Sequence, residues 1–218
     1  IRRPPRSTRK ESSAASDVYK RQQVITIVLK KLICLIGLIL IFPLLALCCT
    51  FILIENGMPF LFKQQRIGLH QKNFIIYKLR TLKKSSPQVR THELQESFKL
   101  SSGKIIRAMK LDEFPQLVNV IKGDLNLVGP RPGLGSDIKL KENRMLLGIF
   151  EVTPGITGLS QILGYDMKNP KKLAEVDKIY IQNQTLLLDI MILLGTFVNT
   201  PRSYLASKFN ISNLKRTL

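Results

Sequence analysis

The sequence predicts an α+β protein: a small, mostly helical domain with a short β-hairpin, anchored by an N-terminal re-entrant membrane helix broken at Pro43. Three observations support this prediction. An uncharged apolar run covers 32–54, two strand-like segments flank a polar turn near Gly68, and capped helical patterns recur in the second half. Apolar residues make up 44% of the 218-residue chain, which is enough to build a core.

The chain is strongly basic, with a formal net charge of +19. This charge indicates a polyanionic partner, such as nucleic acid, anionic lipid or a phosphorylated substrate. The segment 1–22 begins with Ile1 and has no apolar periodicity, so we predict that it is a sequencing- or vector-derived tail. A natural basic tail is the alternative. The segment carries +5, so the remainder keeps +14 and stays basic.

The membrane segment is predicted at 23–55, and its uncharged part is 23 residues long. A helix needs roughly 20 residues to cross a bilayer, but Pro43 removes a backbone donor near the middle. Lys31 precedes the run and Lys63 follows it, and positive flanks favour the cytoplasmic side for both ends. We therefore expect a helix–break–helix that enters and leaves by one membrane face. A single kinked transmembrane helix is the alternative.

The cysteine and histidine content argues against disulfides and metal clusters. Cys34, Cys48 and Cys49 all lie in the apolar run, so we expect small hydrophobic side chains that face the membrane. His70 and His92 are isolated from each other, which does not suit a histidine metal site.

The rest of the chain is predicted to form a domain at 56–200 and a basic C-terminal tail at 201–218. A turn followed by a strand is expected at 57–68 and a second strand at 74–82, and the two strands are expected to pair as a β-hairpin. The polar, serine-rich segment 83–95 is expected to be a surface loop.

Helices are predicted where capping residues precede apolar periodicity. Asp112 is expected to cap one helix that ends at Gly123, and Asn169, followed by proline, is expected to start another. A further helix is predicted at 136–147. The very apolar segment 186–198 is too short to cross a bilayer and is expected either to be buried or to lie at the membrane surface.

Two adjacent carboxylates, Asp112 and Glu113, stand out in this basic chain. Arg131 follows them across one predicted helix, in the proline-stiffened sequence Gly-Pro-Arg-Pro at 129–132. Carboxylates can hold a metal ion and an arginine can bind phosphate oxygens, so this pattern suits metal-assisted phosphate chemistry. An ordinary helix cap followed by a rigid loop is the structural alternative.

The order of these motifs resembles the bacterial sugar transferase family, the monotopic phosphoglycosyl transferases, also described as polyprenyl-phosphate sugar-1-phosphate transferases. The resemblance covers roughly 24–198. The matching blocks, in chain order, are Phe62–Gly68, Tyr77–Thr81, Leu111–Leu117, Lys122–Pro132 and Pro154–Gly158. One departure is Phe42, which precedes Pro43 where the family usually has serine.

The resemblance implies transfer of a sugar 1-phosphate from a UDP-sugar to polyprenol (undecaprenyl) phosphate, with release of UMP, at the cytoplasmic face of the bacterial inner membrane. This reaction begins the assembly of capsule, O-antigen, exopolysaccharide or glycoprotein glycans. It implies that Asp112 is the nucleophile, forming a phosphosugar-aspartate intermediate, and that Glu113 helps to hold Mg²⁺. Five basic residues are expected to bind the substrate phosphates: Arg66, Lys78, Arg80, Arg107 and Arg131.

Two other functions are compatible with the sequence. One is a membrane-tethered basic binding module for nucleic acid or anionic lipid, which the charge of the body permits. No nucleic-acid-binding motif with interleaved aromatic residues is visible, so we expect no nucleic acid partner. The other is an inactive, truncated transferase. The sequence predicts neither the sugar nor the oligomeric state.

Overall fold

The computed structural model describes the backbone of residues 6–86 and 96–209 and the side chains of 24–86 and 97–209. Short 3₁₀ segments lie at Leu69–Gln71, Glu96–Phe98, Leu111–Gln116 and Ile149–Glu151. The strands are β1 Leu61–Ile67, β2 Asn73–Leu79, β3 Asn126–Val128 and β4 Gly155–Thr157. The helices are α1 Arg6–Asn56, α2 Ser101–Ala108, α3 Leu117–Lys122, α4 Ile138–Leu146, α5 Leu159–Ile162, α6 Pro170–Gln182, α7 Leu186–Gly195 and α8 Asn199–Lys208. The predicted α+β class is confirmed.

Helix α1 continues through Pro43, where we predicted a break. Its apolar part at 24–56 is 33 residues long and, alone among the described helices, is long and apolar enough to cross a membrane. The backbone is already helical at Arg6, inside the predicted tail 1–22. The origin of that tail and the re-entrant path of α1 both stay predictions.

One face of α1 packs against the rest of the protein. Cys34, Leu45, Cys48 and Ile52 recur at helical spacing and are all buried. The prediction that the cysteines face the membrane is therefore wrong for Cys34 and Cys48, which contact the domain core. The opposite face of α1 is apolar and exposed, and includes Ile33, Ile36, Leu40, Leu47, Phe51 and Ile54.

Strands β1 and β2 form the predicted antiparallel β-hairpin, in a register that pairs Leu61 with Leu79 and Ile67 with Asn73. Ile76 and Leu79 are both buried, and because they are three residues apart they face opposite sides of the strand and join two different buried clusters. The second strand ends at Leu79, three residues before the predicted end. The hairpin places one face of β2 against α3 and the 3₁₀ segment at 111–116.

A parallel pair of short strands, which the sequence analysis did not predict, joins two of the glycine-rich motifs. Asn126 pairs with Gly155 and Val128 with Thr157. A β-carbon on Gly155 would lie 2.1 Å from the backbone nitrogen of Gly129, so only glycine permits this approach. The pair therefore fixes the loop after β3 beside the loop that contains β4.

The C-terminal half is helical. Asn169 caps α6 as predicted, since its side chain accepts a hydrogen bond of 3.1 Å from the backbone amide of Lys172. Helix α7 has one buried and one exposed face. Leu188 and Ile192 are buried in the core, whereas the exposed face carries Leu186, Leu187, Ile190 and Leu194. Helix α8 runs across position 200, and the domain boundaries stay predictions.

Candidate active site

Asp112 and Glu113 lie in the first turn of the 3₁₀ segment at 111–116, which leads directly into α3. Lys110 precedes the segment in the left-handed conformation, with φ 56°. The predicted helix cap at Asp112 is wrong, because the turn begins at Leu111 and Lys110 occupies the capping position. The predicted end at Gly123 is confirmed, with φ 92°. The two carboxylates therefore belong to a tight turn at the start of a short helix.

Glu113 is the centre of a cluster of charges. Its Oε1 accepts a hydrogen bond of 3.0 Å from Nζ of Lys78 and one of 2.5 Å from Nη2 of Arg131. All three side chains are partly buried, with exposed fractions of 16% for Lys78, 21% for Glu113 and 31% for Arg131. One carboxylate thus holds two cations at the edge of the solvent.

The position of Lys78 is set by Asn119, a completely buried residue of α3. Its side chain donates to the carbonyl of Ile75 at 2.7 Å and accepts from the amide of Tyr77 at 3.3 Å. Since these two residues flank Ile76 on β2, the strand is fixed against α3. Lys78, the next residue along, is thereby brought to Glu113.

Arg131 reaches Glu113 from the loop that follows β3. Its Nη1 also donates to the carbonyl of Ile156 in β4, at 3.2 Å. The guanidinium is therefore fixed from two sides, by a carboxylate and by a backbone carbonyl. A planar guanidinium held in this way can present its remaining donors to a phosphate.

The proximity of these charges shifts their pKa values. Burial favours protonation of Glu113, but the charges of Arg131 and Lys78 outweigh it and hold its pKa well below the ordinary value. Burial, helped by the charge of Arg131, lowers the pKa of Lys78 to about 8. For Arg131, the charge and hydrogen bond of Glu113 overcome the effect of burial and raise the pKa. Glu113 is therefore ionised throughout the neutral range.

Asp112 behaves differently from its neighbour. Burial and the negative charge of Glu113 raise its pKa, against the opposing charges of Lys78, Arg107 and Arg131. A carboxylate in a partly desolvated place is more basic and more nucleophilic than one in water. The surroundings thus distinguish the two adjacent acids: Glu113 holds two cations and has a lowered pKa, whereas the pKa of Asp112 is raised.

The structure brings some of the predicted basic residues to this cluster and not others. Arg66 lies beside the Arg131 loop, since its Nη1 donates to the carbonyl of Pro132 at 3.2 Å, and burial and the charge of Arg131 lower its pKa to about 10. Arg107 lies close enough to influence Asp112 and donates to Thr81 at 2.6 Å. Arg80 instead donates to the carbonyl of Pro59 and lies over the ring of Phe62.

Two further cations were not predicted: Lys110, near the carboxylates, and Arg202, near Lys110. Burial lowers the pKa of Lys110, as does the nearby charge of Arg202, and Lys110 also interacts with Asp112 and Glu113. Arg202, from α8, donates to the carbonyls of Gly195 and Thr196. Lys110 could have been suspected from its position two residues before Asp112. The contribution of Arg202, 90 residues further along the chain, has no local signal in the sequence.

The predicted magnesium ion can be tested against the chemistry of these donors. In the parts of the chain that the structure describes, no three His, Cys, Asp or Glu side chains form a metal-binding group. Mg²⁺ is commonly held by one or two carboxylates together with phosphate oxygens of a substrate, and Asp112 fits that mode. Glu113 fits it less well, because two cations already occupy its Oε1. The role of Glu113 as a metal ligand stays a prediction.

Comparison with known protein families identifies the family of this chain. A sequence model described as bacterial sugar transferase matches residues 21–203, which is most of the chain. The chain belongs to the bacterial sugar transferase family. The predicted resemblance, and with it the transferase class, is confirmed.

Individual relatives agree with this assignment. The sugar transferase EpsL of Bacillus subtilis, described as uncharacterized, is 40% identical over 67% of this chain and 77% of its own length. UDP-glucose:undecaprenyl-phosphate glucose-1-phosphate transferase of Caulobacter vibrioides is 35% identical over 71% of this chain and 61% of its own length. UDP-N-acetylgalactosamine-undecaprenyl-phosphate N-acetylgalactosaminephosphotransferase of Aeromonas hydrophila is 34% identical over 71% of this chain. Only 38% of the Aeromonas protein is covered, so this sugar transferase corresponds to part of some larger relatives.

Proposed function

We propose that this sugar transferase moves a sugar 1-phosphate from a UDP-sugar to undecaprenyl phosphate, with release of UMP. The observation that carries the proposal is the pairing of a carboxylate whose pKa is raised, Asp112, with a Glu113-anchored pair of cations, Lys78 and Arg131. The names of two relatives give the same class of acceptor and phosphosugar product. The initiated glycan would be a capsule, O-antigen, exopolysaccharide or glycoprotein glycan.

The first step is a displacement at the β-phosphorus of the UDP-sugar. An oxygen of the ionised Asp112 attacks that phosphorus, the bond to the bridging oxygen breaks, and UMP leaves with the electron pair. Lys78 and Arg131 lie beside Asp112 and can neutralise the negative charge of the diphosphate. Mg²⁺, when bound, would supply further neutralisation of the phosphate oxygens.

The second step returns Asp112 to its starting state. A phosphate oxygen of undecaprenyl phosphate attacks the same phosphorus, the bond to the Asp112 oxygen breaks, and the lipid diphosphate-linked sugar is released. Covalent catalysis of this kind divides one difficult transfer into two displacements. Glu113 takes no covalent part, because its low pKa and two hydrogen bonds keep it as the anchor for the cations.

The proposed membrane arrangement places the site at the cytoplasmic face of the bacterial inner membrane. The buried stripe of α1 from Cys34 to Ile52 contacts the domain along a length of about 28 Å, close to the thickness of the hydrocarbon layer. A helix that crossed the bilayer upright would carry the polar hairpin in with it. We therefore propose that both flanks of α1 stay on one side, with the exposed apolar face in the lipid.

The enzymatic proposal is tested with Asp112→Asn in membranes supplied with UDP-sugars and Mg²⁺. We expect the variant to lose UMP release and to fail to retain radiolabel from a sugar-labelled donor. Asp166→Asn, which alters an exposed aspartate, is the matched control and should behave as the unaltered protein. Unchanged UMP release from Asp112→Asn would exclude Asp112 as the nucleophile.

The membrane proposal has a separate test. Cysteines placed at Lys31 and Lys63, in a variant that lacks the three native cysteines, should both react with an impermeant thiol reagent from the cytoplasmic side only. Labelling of the two positions from opposite faces would show that α1 crosses the bilayer.

A further inference from the structure

A second cluster of charges lies behind the loop that carries Arg131, and the proposed chemistry does not use it. Arg144 of α4 donates to Oδ2 of Asp177 of α6 through Nε at 3.1 Å and through Nη2 at 2.5 Å. Ser160 of α5 donates to Oδ1 of Asp177 at 2.7 Å. The side chains of Arg144 and Asp177 are only 4% and 1% exposed. This cluster is closed to solvent.

Stability alone does not require such a pair. Removing two charges from water costs about as much as their mutual attraction returns, and apolar side chains of similar volume often serve equally well. A fully buried pair therefore calls for a second contact that an apolar pair could not make. Arg144 has one: its Nη1 donates to the backbone carbonyl of Arg131 at 2.7 Å.

The loop around Arg131 is held by its carbonyl groups. Pro130 and Pro132 have no amide hydrogen, so the backbone offers few donors there. The four successive carbonyls of 130–133 instead each accept a hydrogen bond from another part of the chain. Their donors are, in order, the amide of Gly155 at 3.0 Å, Arg144 at 2.7 Å, Arg66 at 3.2 Å and the amide of Ile67 at 3.1 Å.

The contact at the Arg131 carbonyl is the one nearest to the functional side chain. Arg131 is then held at three points: by Arg144 at its own backbone, and by Ile156 and Glu113 at its guanidinium. Without Arg144, the carbonyl of Arg131 itself would lose this hydrogen bond, and the backbone at the base of the guanidinium side chain would be held only through its neighbours. A displacement of about 1 Å at a positioning group can cost on the order of 100-fold in rate.

We infer that Arg144, oriented by Asp177 and Ser160, is a positioning residue that fixes the backbone of Arg131 so that its guanidinium meets the substrate phosphate in one orientation. This inference rests on the proposed function for its kinetic consequence. It assigns the buried cluster a task in the transfer reaction although none of its side chains touches the substrate.

The first experiment replaces the whole cluster by apolar groups in one triple variant, Arg144→Met, Asp177→Leu and Ser160→Ala. We expect a melting temperature close to that of the unaltered protein, with kcat for UMP release lowered roughly 10- to 100-fold. Hydrogen exchange should accelerate at the loop amides of Gly129, Arg131, Gly133 and Leu134 while α4 and α6 stay protected. A folded triple variant with native kcat and native exchange in the loop would overturn the inference.

A second experiment applies even if the triple variant does not fold. Arg144→Lys keeps a positive charge beside Asp177 but cannot form the three donor contacts of a guanidinium. We expect it to lower kcat about 10-fold in the native background and less than about 2-fold when Arg131→Lys is also present, because a flexible lysine does not depend on loop orientation. Equal factors in both backgrounds would show a purely structural role.

The matched control is the exposed pair of Lys172 and Glu175 on α6, which lie 3.3 Å apart. Replacing both by glutamine should change neither kcat nor the exchange of the loop. Hydrogen exchange does not need turnover, so the two proposals can fail separately. Absence of UMP release from the unaltered protein would reject the proposed function, whereas unchanged loop exchange in the Arg144 variants would reject the positioning role.

Discussion

In the described part of the chain, an arginine meets a carboxylate in the Arg144 cluster and in the candidate site, and these two clusters differ in stoichiometry and in access to solvent. In the buried cluster, Arg144 faces Asp177 one to one, and both are almost fully enclosed. In the candidate site, Glu113 holds two cations, Lys78 and Arg131, which are 16% and 31% exposed. The first cluster is neutral and complete, whereas the second stays positive even with Asp112 ionised, because Arg107 and Lys110 also lie near the two carboxylates.

This difference distinguishes a charge pair that has no room for a ligand from the proposed binding site. A carboxylate that balances a single arginine leaves no charge for a ligand. A carboxylate shared by two cations fixes them in place without neutralising both, so an anion that enters the site completes the balance. The raised pKa of Asp112 beside this cluster is a further mark of a functional position.

The largest expected effect concerns the closed cluster. Asp177→Leu alone should destabilise the protein by about 3–5 kcal/mol, because it leaves Arg144 as an unpaired buried cation. Thermal unfolding in detergent micelles measures this loss. Adding Arg144→Met should restore most of it. A loss below about 1 kcal/mol from Asp177→Leu would contradict the description of this cluster as closed to water.

Glu113→Gln is expected to have a smaller effect on stability and a large effect on activity. We expect a loss of about 1–3 kcal/mol in stability, since water can reach the two cations that it leaves. UMP release should fall at least 100-fold, a change of about 2.7 kcal/mol in the barrier, because the cations are no longer held together. A larger loss of stability from Glu113→Gln than from Asp177→Leu would contradict the conclusion that the Arg144 cluster is the more enclosed of the two.

The pH dependence of kcat/KM should show the titration of Lys78. Its pKa of about 8 lies well below the ordinary 10.5, so its charge is lost just above neutrality. We expect kcat/KM to fall as pH rises through about 8, and Lys78→Arg to move this fall to higher pH. Lys171→Arg, which alters an exposed lysine at the start of α6, is the control and should leave the profile unchanged.

The lowered pKa of Lys78 affects stability in the opposite direction, because stability rises where activity falls. Between about pH 8 and 10.5 the unfolded chain keeps a proton on Lys78 that the folded chain has released, so this group favours folding more as pH rises. At the acid end, activity should fall at a higher pH than an ordinary aspartate would give, because the pKa of Asp112 is raised. A rate profile flat across both regions would remove both groups from the reaction.

The smallest effect is expected at the surface. Replacing the exposed pair of Lys172 and Glu175 by glutamine should change stability by less than about 0.5 kcal/mol, since solvent screens such pairs. A chemical denaturation curve indistinguishable from that of the unaltered protein is the expected result. A larger effect would show that the number of ion pairs, and not their burial, governs stability here.

Much of the fold was predictable because its signals are local. The β-hairpin, the end of a helix at Gly123 and the start of α6 at Asn169 follow from strand alternation and capping preferences. The cap predicted at Asp112 was wrong because Lys110 adopts a left-handed conformation, which the sequence does not announce for a lysine. The parallel pairing of β3 with β4 was missed because each strand has only three residues.

The site was predictable in its chemistry and less so in its geometry. Adjacent carboxylates and a proline-flanked arginine identified Asp112, Glu113 and Arg131. The sequence could not show that Glu113 would hold Lys78 and Arg131 together, because the three residues come from separate elements. The sequence also offered no reason to treat Arg80 differently from the other four predicted phosphate-binding residues. The structure places Arg80 against Pro59 and Phe62 instead.

The packing of α1 determines whether the domain can be released from the membrane by proteolysis. Leu45 and Ile52 share a buried cluster with Leu79, Leu100 and Ile106, so the anchor forms one wall of the domain. A protease that cut after residue 56 would remove α1 and expose the apolar side chains that it covers to water. We therefore expect no stable, water-soluble fragment from such a cut. The helix proposed to hold the protein at the membrane is therefore also needed to complete the core of the domain.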